Sequence, residues 1–279
     1  MGQRITTDGH IGFLANLSDT TVHFAMDNGI PWTLIDSAFF FSHFDTNMFQ
    51  LRDFFPPINR YRYEGEIDIK IRDSVYKINH FVVRPFRAMG ADSFQVIIGY
   101  DILQHHVLNL DFVNKQFALI DDYLDSGYVI LPLESIQEQL NTGGIMEYKY
   151  FYANVCCGSK VQSGKFWFDL GCGGDVAGIF KERFFRDLEK DAVLLDSGMS
   201  KGSNFFSTKS YHWCIDSVTF PGFCSTNIKI GTILNHDNAF YDNGQNDGTI
   251  GWQFFKGCEI IVDWKKNVLL VKQITNGEE

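Results

Sequence analysis

The strongest constraint on the fold of this chain is an internal duplication. A segment of sequence VIIG ends at Gly99 in the first half, and a similar segment, GTIG, ends at Gly251 in the second half. When these glycines are aligned, Asp111 falls on Asp263 without a gap. Self-similarity of this kind is typical of a fold built from repeated units. The sequence therefore predicts two similar halves.

Both halves have the alternating pattern of β-strands. Aromatic residues make up 15% of the chain, with 27 Phe, and such residues favour pleated, half-buried surfaces. Tyr148, Tyr150 and Tyr152 alternate with other residues, and Asn28-Gly29 reads as the tight turn of an early hairpin. The spacing predicts a helix over 178–188. A polar linker over 121–127 divides the chain into lobes 1–124 and 125–279, both mainly β.

Charge and composition exclude several classes of protein. A formal net charge of −10 argues against a nucleic-acid partner, which requires a basic surface. The sequence lacks the run of roughly 18 apolar residues that a membrane-spanning helix needs, and it has no phosphate-binding or dinucleotide-binding motif. We therefore expect no nucleic acid, no membrane span and a monomer. The N-terminus has no apolar signal region, so a secreted or periplasmic location would require that such a segment has been removed.

The six cysteines predict no metal centre. No pair has the CxxC spacing of a zinc site, and His105-His106 lacks a third ligand nearby, so we expect neither a metal nor another cofactor. Cys214 and Cys224 could close a hairpin as a disulfide, or all six cysteines could be free buried thiols. Cys172 as the nucleophile of a cysteine hydrolase has no supporting signature.

Each half also delivers an aspartate from a strand-rich region ahead of its glycine. The first is Asp36, followed by Ser37 and Ala38, and the second is Asp169, followed by Leu170 and Gly171. The chain resembles a single-chain, two-lobed member of the pepsin and retropepsin superfamily of aspartic proteases, with retropepsin-like lobes. The resemblance covers nearly the whole chain. It implies the acid protease fold, with two β-barrel lobes related by a pseudo-twofold axis.

In this family a D-[ST]-G loop from each lobe supplies one carboxylate. The resemblance therefore implies Asp36 and Asp169 as the catalytic pair. The residues that it implies as supports of their loops are Ser37, Ala38, Leu170, Gly171, Ile98, Gly99, Ile250 and Gly251. Two carboxylates a few ångströms apart cannot both ionise, so they share one proton. One then acts as a base on water and the other as an acid toward the scissile carbonyl.

Two other aspartates compete for the second position. Asp125 and Asp196 are both followed by Ser and Gly, but Asp125 lies in the linker. Asp196 matches the family triplet better than Asp169 does, yet it follows the helix candidate instead of a hairpin. Asp169 is therefore preferred, and Asp196 remains the alternative.

The substrate contacts follow from the flap hairpins of the family. The matching stretches make Tyr61 or Tyr63 the flap aromatics of the first lobe, and Phe205 or Phe206 those of the second. Packing on a strand face is the competing interpretation for the tyrosines. Phe39, Phe40 and Phe41 would give an apolar cleft, although core packing is the preferred interpretation for them.

Two functions follow from the resemblance. The first is an aspartic endopeptidase that hydrolyses peptide bonds in a peptide or protein substrate, with no cofactor. The alternative is a catalytically degenerate relative that binds peptides or proteins without cutting them. Two departures favour that alternative, because Ala38 replaces the usual Gly and Leu170 replaces a hydroxyl residue that cross-bonds to the opposite loop. A β-rich carbohydrate-binding domain is a third class, which the duplication disfavours.

Overall fold

The structure, a computed structural model, describes residues 2–7, 9–55, 60–87, 90–91, 93–139, 145–172, 174–201, 207–233 and 246–274. It is mainly β, as the sequence predicts. In the first half the strands are β1 (Gln3–Arg4), β2 (Gly12–Leu17), β3 (Thr20–Met26), β4 (Leu34–Asp36), β5 (Gln50–Phe55), β6 (Arg60–Ile71), β7 (Ser74–Arg84), β8 (Val96–Ile98), β9 (Val107–Asp111) and β10 (Gln116–Ile120). In the second half they are β11 (Val129–Pro132), β12 (Glu134–Gln139), β13 (Ile145–Cys157), β14 (Lys160–Phe168), β15 (Gly178–Lys181), β16 (Val193–Lys201), β17 (Ser207–Phe220), β18 (Phe223–Ile233), β19 (Gly248–Ile250), β20 (Cys258–Asp263) and β21 (Val268–Gln273).

The helices are short. They are α1 (Ser37–His43), α2 (Tyr100–Leu103) and α3 (Glu182–Phe185), and 3-10 turns cover Thr46–Met48 and Trp252–Phe255. The helix predicted over 178–188 is wrong at both ends, because Gly178–Lys181 is strand β15 and the helix covers only Glu182–Phe185, with a turn after it. Hydrogen bonds to β18 and β19 hold β15 extended, so tertiary pairing overrides the local pattern. Among the residues described, no helix has the length and apolar character needed to cross a bilayer.

Six strands of the first half close into a ring. The strand order is β2-β3-β8-β4-β7-β6, and β6 pairs back with β2. The pairings β3–β8 and β4–β7 are parallel, and the others are antiparallel. Strand β5 extends the sheet along β6. Closure pairs the backbone of all six strands and encloses an apolar core.

The second half repeats this arrangement strand by strand. Its ring has the order β13-β14-β19-β15-β18-β17, closed by β17 against β13, and β16 extends it along β17. The two parallel pairings, β14–β19 and β15–β18, occupy the same places as those of the first ring. The duplication in the sequence therefore corresponds to a duplicated strand topology.

A third sheet joins the two halves, in the order β1-β10-β9-β20-β21-β11. Its central pair is β9 with β20, so the chain segment after each ring lies antiparallel to its counterpart. Asp111 accepts hydrogen bonds from the backbone of Val113 and Asn114, and Asp263 accepts the equivalent pair from Lys265 and Lys266. The gapless alignment of these two aspartates thus reflects the same turn built twice.

One turn prediction from the sequence is wrong, and it matters for the site. The local pattern predicts that Asp27-Asn28-Gly29 closes a hairpin, but β3 does not pair with the strand that follows it. Strand β8 lies between β3 and β4, and residues 27–33 form a loop at the end of the ring.

Candidate functional site

In each ring, one strand is followed directly by an aspartate. The two loops that begin at these aspartates have the same hydrogen bonds. Asp27 follows β3 and Asp169 follows β14. The backbone N–H of Asp27 donates to the carbonyl of Ile98 at 3.0 Å, and that of Asp169 donates to the carbonyl of Ile250 at 3.0 Å. Each aspartate is thereby fixed against the apolar-apolar-Gly strand of its own ring.

Each carboxylate is also held by the glycine two residues later. The N–H of Gly29 donates to Oδ1 of Asp27 at 2.7 Å, and the N–H of Gly171 donates to Oδ1 of Asp169 at 2.8 Å. A Cβ on Gly171 would lie 2.1 Å from Cγ of Asp27, and one on Gly29 would lie 3.1 Å from Oδ1 of Asp169. The glycine of each loop therefore packs against the carboxyl group of the other, where a side chain does not fit.

The two carboxyl groups form a hydrogen-bonded pair. Burial raises the pKa of Asp27 to about 6, against weaker opposing effects of the Gly29 N–H and of the bond to Asp169. Burial raises the pKa of Asp169 well above its ordinary value, and the negative charge of Asp27 raises it further. Two carboxylates in contact cannot both ionise, so the pair retains one proton in the neutral range. Both side chains are enclosed by protein on most sides, yet each keeps part of its surface open to solvent.

Asn28 connects the two loops. Its side chain is 1% exposed. Its Nδ2 donates to the carbonyl of Phe168 at 2.8 Å, and its Oδ1 accepts the N–H of Leu170 at 2.6 Å. One amide therefore makes both cross-loop bonds, while the Leu170 side chain is fully buried in the apolar core.

The expected pairing of Asp36 with Asp169 is wrong. Asp36 ends β4 and caps α1, where its Oδ2 accepts the N–H of Phe39 at 3.1 Å and its Oδ1 accepts the N–H of Phe86 at 2.9 Å. In the duplicated topology its counterpart is Lys181, which ends β15 and precedes α3. Asp36 thus has the role of a helix cap, a position that Asp favours.

The residues after Asp36 belong to α1 and not to the loops of the carboxyl pair. Ser37 and Ala38 lie in the first turn of α1, so they do not support a carboxylate loop. Phe39 and Phe40 are buried in the core of the first ring, whereas Phe41 is 46% exposed. The core interpretation therefore holds for Phe39 and Phe40.

The supporting glycines have matching backbones. Gly99 has φ −93° and ψ −176°, and Gly251 has φ −95° and ψ −179°. A Cβ on Gly99 would lie 2.6 Å from the carbonyl carbon of Trp32, and one on Gly251 would lie 2.7 Å from the carbonyl oxygen of Cys172. Both positions need glycine because the loop after each aspartate passes directly over them. Ile98 and Ile250, just before them, are buried and bond the aspartate backbones as described.

Asp196 and Asp125 lie elsewhere. Asp196 is on β16, 53% exposed at its side chain, with His212 Nδ1 at 2.6 Å and Lys229 Nζ at 3.5 Å. Asp125 lies in the linker between β10 and β11. Of the three candidates for the second position, Asp169 is the one that lies beside Asp27.

The flap candidates divide into two groups. Tyr63 is 6% exposed and packs among Phe40, Phe49 and Phe81, so it is a core residue. Tyr61 is half-buried on the same strand, stacked on Phe54. Phe205 and Phe206 lie outside the described residues, between β16 and β17. These two strands hold the place in the second ring that β5 and β6 hold in the first.

All six cysteines are free, so the Cys214–Cys224 disulfide is not formed. Burial and the carboxyls of Asp169 and Asp27 raise the pKa of the Cys172 thiol, which disfavours a thiolate nucleophile. Within the described ranges, no group of three His, Cys, Asp or Glu side chains could hold a metal ion.

Asp27 is the site residue that sequence reasoning missed. A signal for it exists, because Asp27-Asn28-Gly29 and Asp169-Leu170-Gly171 share the pattern Asp-x-Gly and each follows an alternating strand. The same three residues also predict an Asn-Gly hairpin turn, and from the sequence that interpretation is preferred to the shared Asp-x-Gly pattern. No family model matches the sequence, and no curated protein matches it.

Proposed function

We propose that this chain is an aspartic peptidase that hydrolyses peptide bonds with Asp27 and Asp169 as its catalytic pair. The observation that carries the proposal is the pair itself, in which two hydrogen-bonded carboxyls from duplicated loops retain one proton between them. The matching strand order of the two rings supports a pseudo-twofold relation between two lobes, divided in the linker over 121–127, with the pair on the axis.

One carboxyl of the pair is ionised and the other is protonated in the free protein. Water bound between them loses a proton to the ionised carboxyl as its oxygen attacks the scissile carbonyl carbon. The protonated carboxyl gives its proton to the carbonyl oxygen, which yields a tetrahedral gem-diol. Collapse of that intermediate returns a hydroxyl proton to the carboxyl that gave one, while the proton that the other carboxyl took from water passes to the leaving nitrogen.

The departures from the family pattern at Ala38 and Leu170 count less against catalysis once Asp27 is taken as the first aspartate of the pair. The first loop retains its glycine, since Gly29 and not Ala38 follows the catalytic aspartate at the second position. The second loop lacks a hydroxyl at Leu170, but Asn28 provides the cross-loop bonds from the other side. Asn28 therefore adds two hydrogen bonds between the loops to the one that joins the carboxyls of the pair.

The test is hydrolysis of a diverse peptide library, followed by mass spectrometry across about pH 3–8, a range that spans the raised pKa of Asp27. We expect cleavage that falls by about a hundredfold to ten-thousandfold in Asp27→Asn and in Asp169→Asn, the range of general acid–base contributions. Asp36→Asn is the matched control, because Asn also caps helices well, and it should retain activity.

Two further measurements separate the mechanism from its alternatives. When a single turnover is run in H₂¹⁸O, the ¹⁸O label should appear in the newly formed carboxylate of the product. No covalent intermediate should form, and a chelator should leave the rate unchanged. Peptides that bind without any cleavage at all would support the binding-module alternative. Activity that survives Asp27→Asn would remove Asp27 from the mechanism.

A further inference from the structure

The loop that begins at Asp27 is fastened at its other end by Thr33. The side chain of Thr33 is fully buried; its hydroxyl donates to Oδ1 of Asp101 at 3.0 Å and accepts the N–H of Gly99 at 3.3 Å. The Asp101 carboxyl also accepts the backbone N–H groups of Thr33 and Ile102. Asp101 therefore ties the end of the Asp27 loop to the start of α2.

The second ring uses a different residue at the same position. Gln253 lies two residues after Gly251, as Asp101 lies two residues after Gly99, and it is 6% exposed. Its Nε2 donates to the carbonyl of Gly174 at 3.0 Å and to that of Gly9 at 3.4 Å. Gly174 is five residues after Asp169 and four residues before β15, so this amide fastens the Asp169 loop part way along its length.

These contacts have the arrangement that a positioning role requires. Each loop is fixed at its start by the aspartate N–H on Ile98 or Ile250, and further along by Asp101 or Gln253. None of the hydrogen bonds described for Asp101 and Gln253 goes to the carboxyls of Asp27 and Asp169. A catalytic pair needs placement to within about 0.5 Å, which a loop held at one end alone does not provide.

We infer that Asp101 and Gln253 are positioning residues that align Asp27 and Asp169 by fastening their loops downstream of the aspartates. This inference rests on the proposed function. It predicts that losing either contact weakens transition-state stabilisation more than substrate binding, because the geometry of the pair matters most in the transition state.

Thr33 offers a matched pair of variants. Thr33→Val keeps the shape and removes the hydroxyl, whereas Thr33→Ser keeps the hydroxyl. We expect kcat to fall about tenfold in Thr33→Val, equal to about 1.4 kcal/mol, with KM within about twofold of the wild-type value. Thr33→Ser should stay close to wild type. Equal kcat in wild type and in folded Thr33→Val would overturn the inference.

Gln253→Met tests the second ring in the same way, since it keeps the length of the side chain without the donor. We expect a similar fall in kcat. Asp111→Asn is the control, because that carboxyl holds a turn of the third sheet away from the pair. It should change the melting temperature without changing kcat.

A readout without turnover separates this inference from the proposed function. Carboxyl ¹³C NMR follows the titration of Asp27 and Asp169 in wild type, Thr33→Val and Thr33→Ser. A shifted titration of the pair in Thr33→Val alone supports positioning, even if no peptide is cleaved and the peptidase proposal fails. An unchanged titration in Thr33→Val contradicts it. If Thr33→Val does not fold, Gln253→Met, which removes the donor to Gly174, takes its place with the same two outcomes.

Discussion

Replacing Asp27 by asparagine should make the protein more stable at neutral pH. In the folded state, burial raises the pKa of Asp27 from 3.8 to about 6. A carboxyl with a raised folded-state pKa favours folding while it is protonated. That contribution is complete below the unfolded-state pKa and is lost as the pH rises through the folded-state value. The wild-type protein should therefore lose stability between about pH 4 and pH 7.

The magnitude follows from the size of the shift. A rise from 3.8 to about 6 corresponds to about 3 kcal/mol of free energy of unfolding, at about 1.4 kcal/mol per pKa unit. The asparagine side chain of the variant binds no proton and carries no charge, so the variant avoids this loss. The substitution also removes the negative charge that raises the pKa of Asp169. The free energy of unfolding of Asp27→Asn, relative to that of the wild type, should therefore rise by about 3 kcal/mol as the pH increases from about 4 to about 8.

Urea unfolding at intervals over the same pH range measures this difference. Asn28→Ala serves as the control, because it removes a buried neighbour of the pair that binds no proton. The difference between wild type and Asn28→Ala should stay nearly flat with pH. If the difference between wild type and Asp27→Asn is also flat, Asp27 does not hold a buried proton, and the paired-carboxyl site is wrong.

Four further outcomes follow from the same contacts. Asn28→Ala should cost about 2–4 kcal/mol of unfolding free energy in a urea titration, because it leaves the Leu170 N–H and the Phe168 carbonyl without their cross-loop partner. Gly171→Ala should lower the melting temperature and the activity more than Gly29→Ala does. The Cβ on residue 171 would lie 2.1 Å from the Asp27 carboxyl, whereas the Cβ on residue 29 would lie 2.9 Å from its nearest neighbour. The reverse order would contradict the loop geometry. Leu170→Thr should lose about 1–3 kcal/mol with no gain in kcat, because the side chain is fully buried in the core and Asn28 already makes the cross-loop bonds. The rate profile against pH should be bell-shaped with one limb near pH 6, since burial raises the pKa of Asp27 to about 6, and a profile without that limb would contradict the paired-carboxyl site.

The duplication made the general fold readable from the sequence. Gly99 and Gly251 lie where a loop passes too close for any side chain, so the residue type is dictated by sterics and is visible as a motif. Asp111 and Asp263 likewise repeat because both build the same turn. These positions are constrained locally, which is why a gapless alignment finds them.

The first aspartate of the pair could not be chosen in the same way, because its assignment depends on which strands pair. An Asn-Gly pair after an alternating strand favours a two-residue hairpin on local grounds. In the protein, β8 lies between β3 and β4, although it comes much later in the chain than either strand. That long-range pairing converts the expected turn into a loop over the Gly99 region, and it leaves Asp36 at the far end of β4, where it caps α1.

The two halves agree in topology but differ in how they fix their loops, and the differences compensate one another. The second loop carries the buried apolar side chain of Leu170, which packs in the core, while Asn28 of the first loop makes two hydrogen bonds to the second loop. Further along the loops, an acceptor, Asp101, serves the first ring and a donor, Gln253, serves the second. A dimer of identical chains would have to place the same residue at both sites, whereas a single chain that contains both copies is free to assign each bond to one side. The asymmetry around Asp27 and Asp169 is therefore what a duplicated, single-chain site permits.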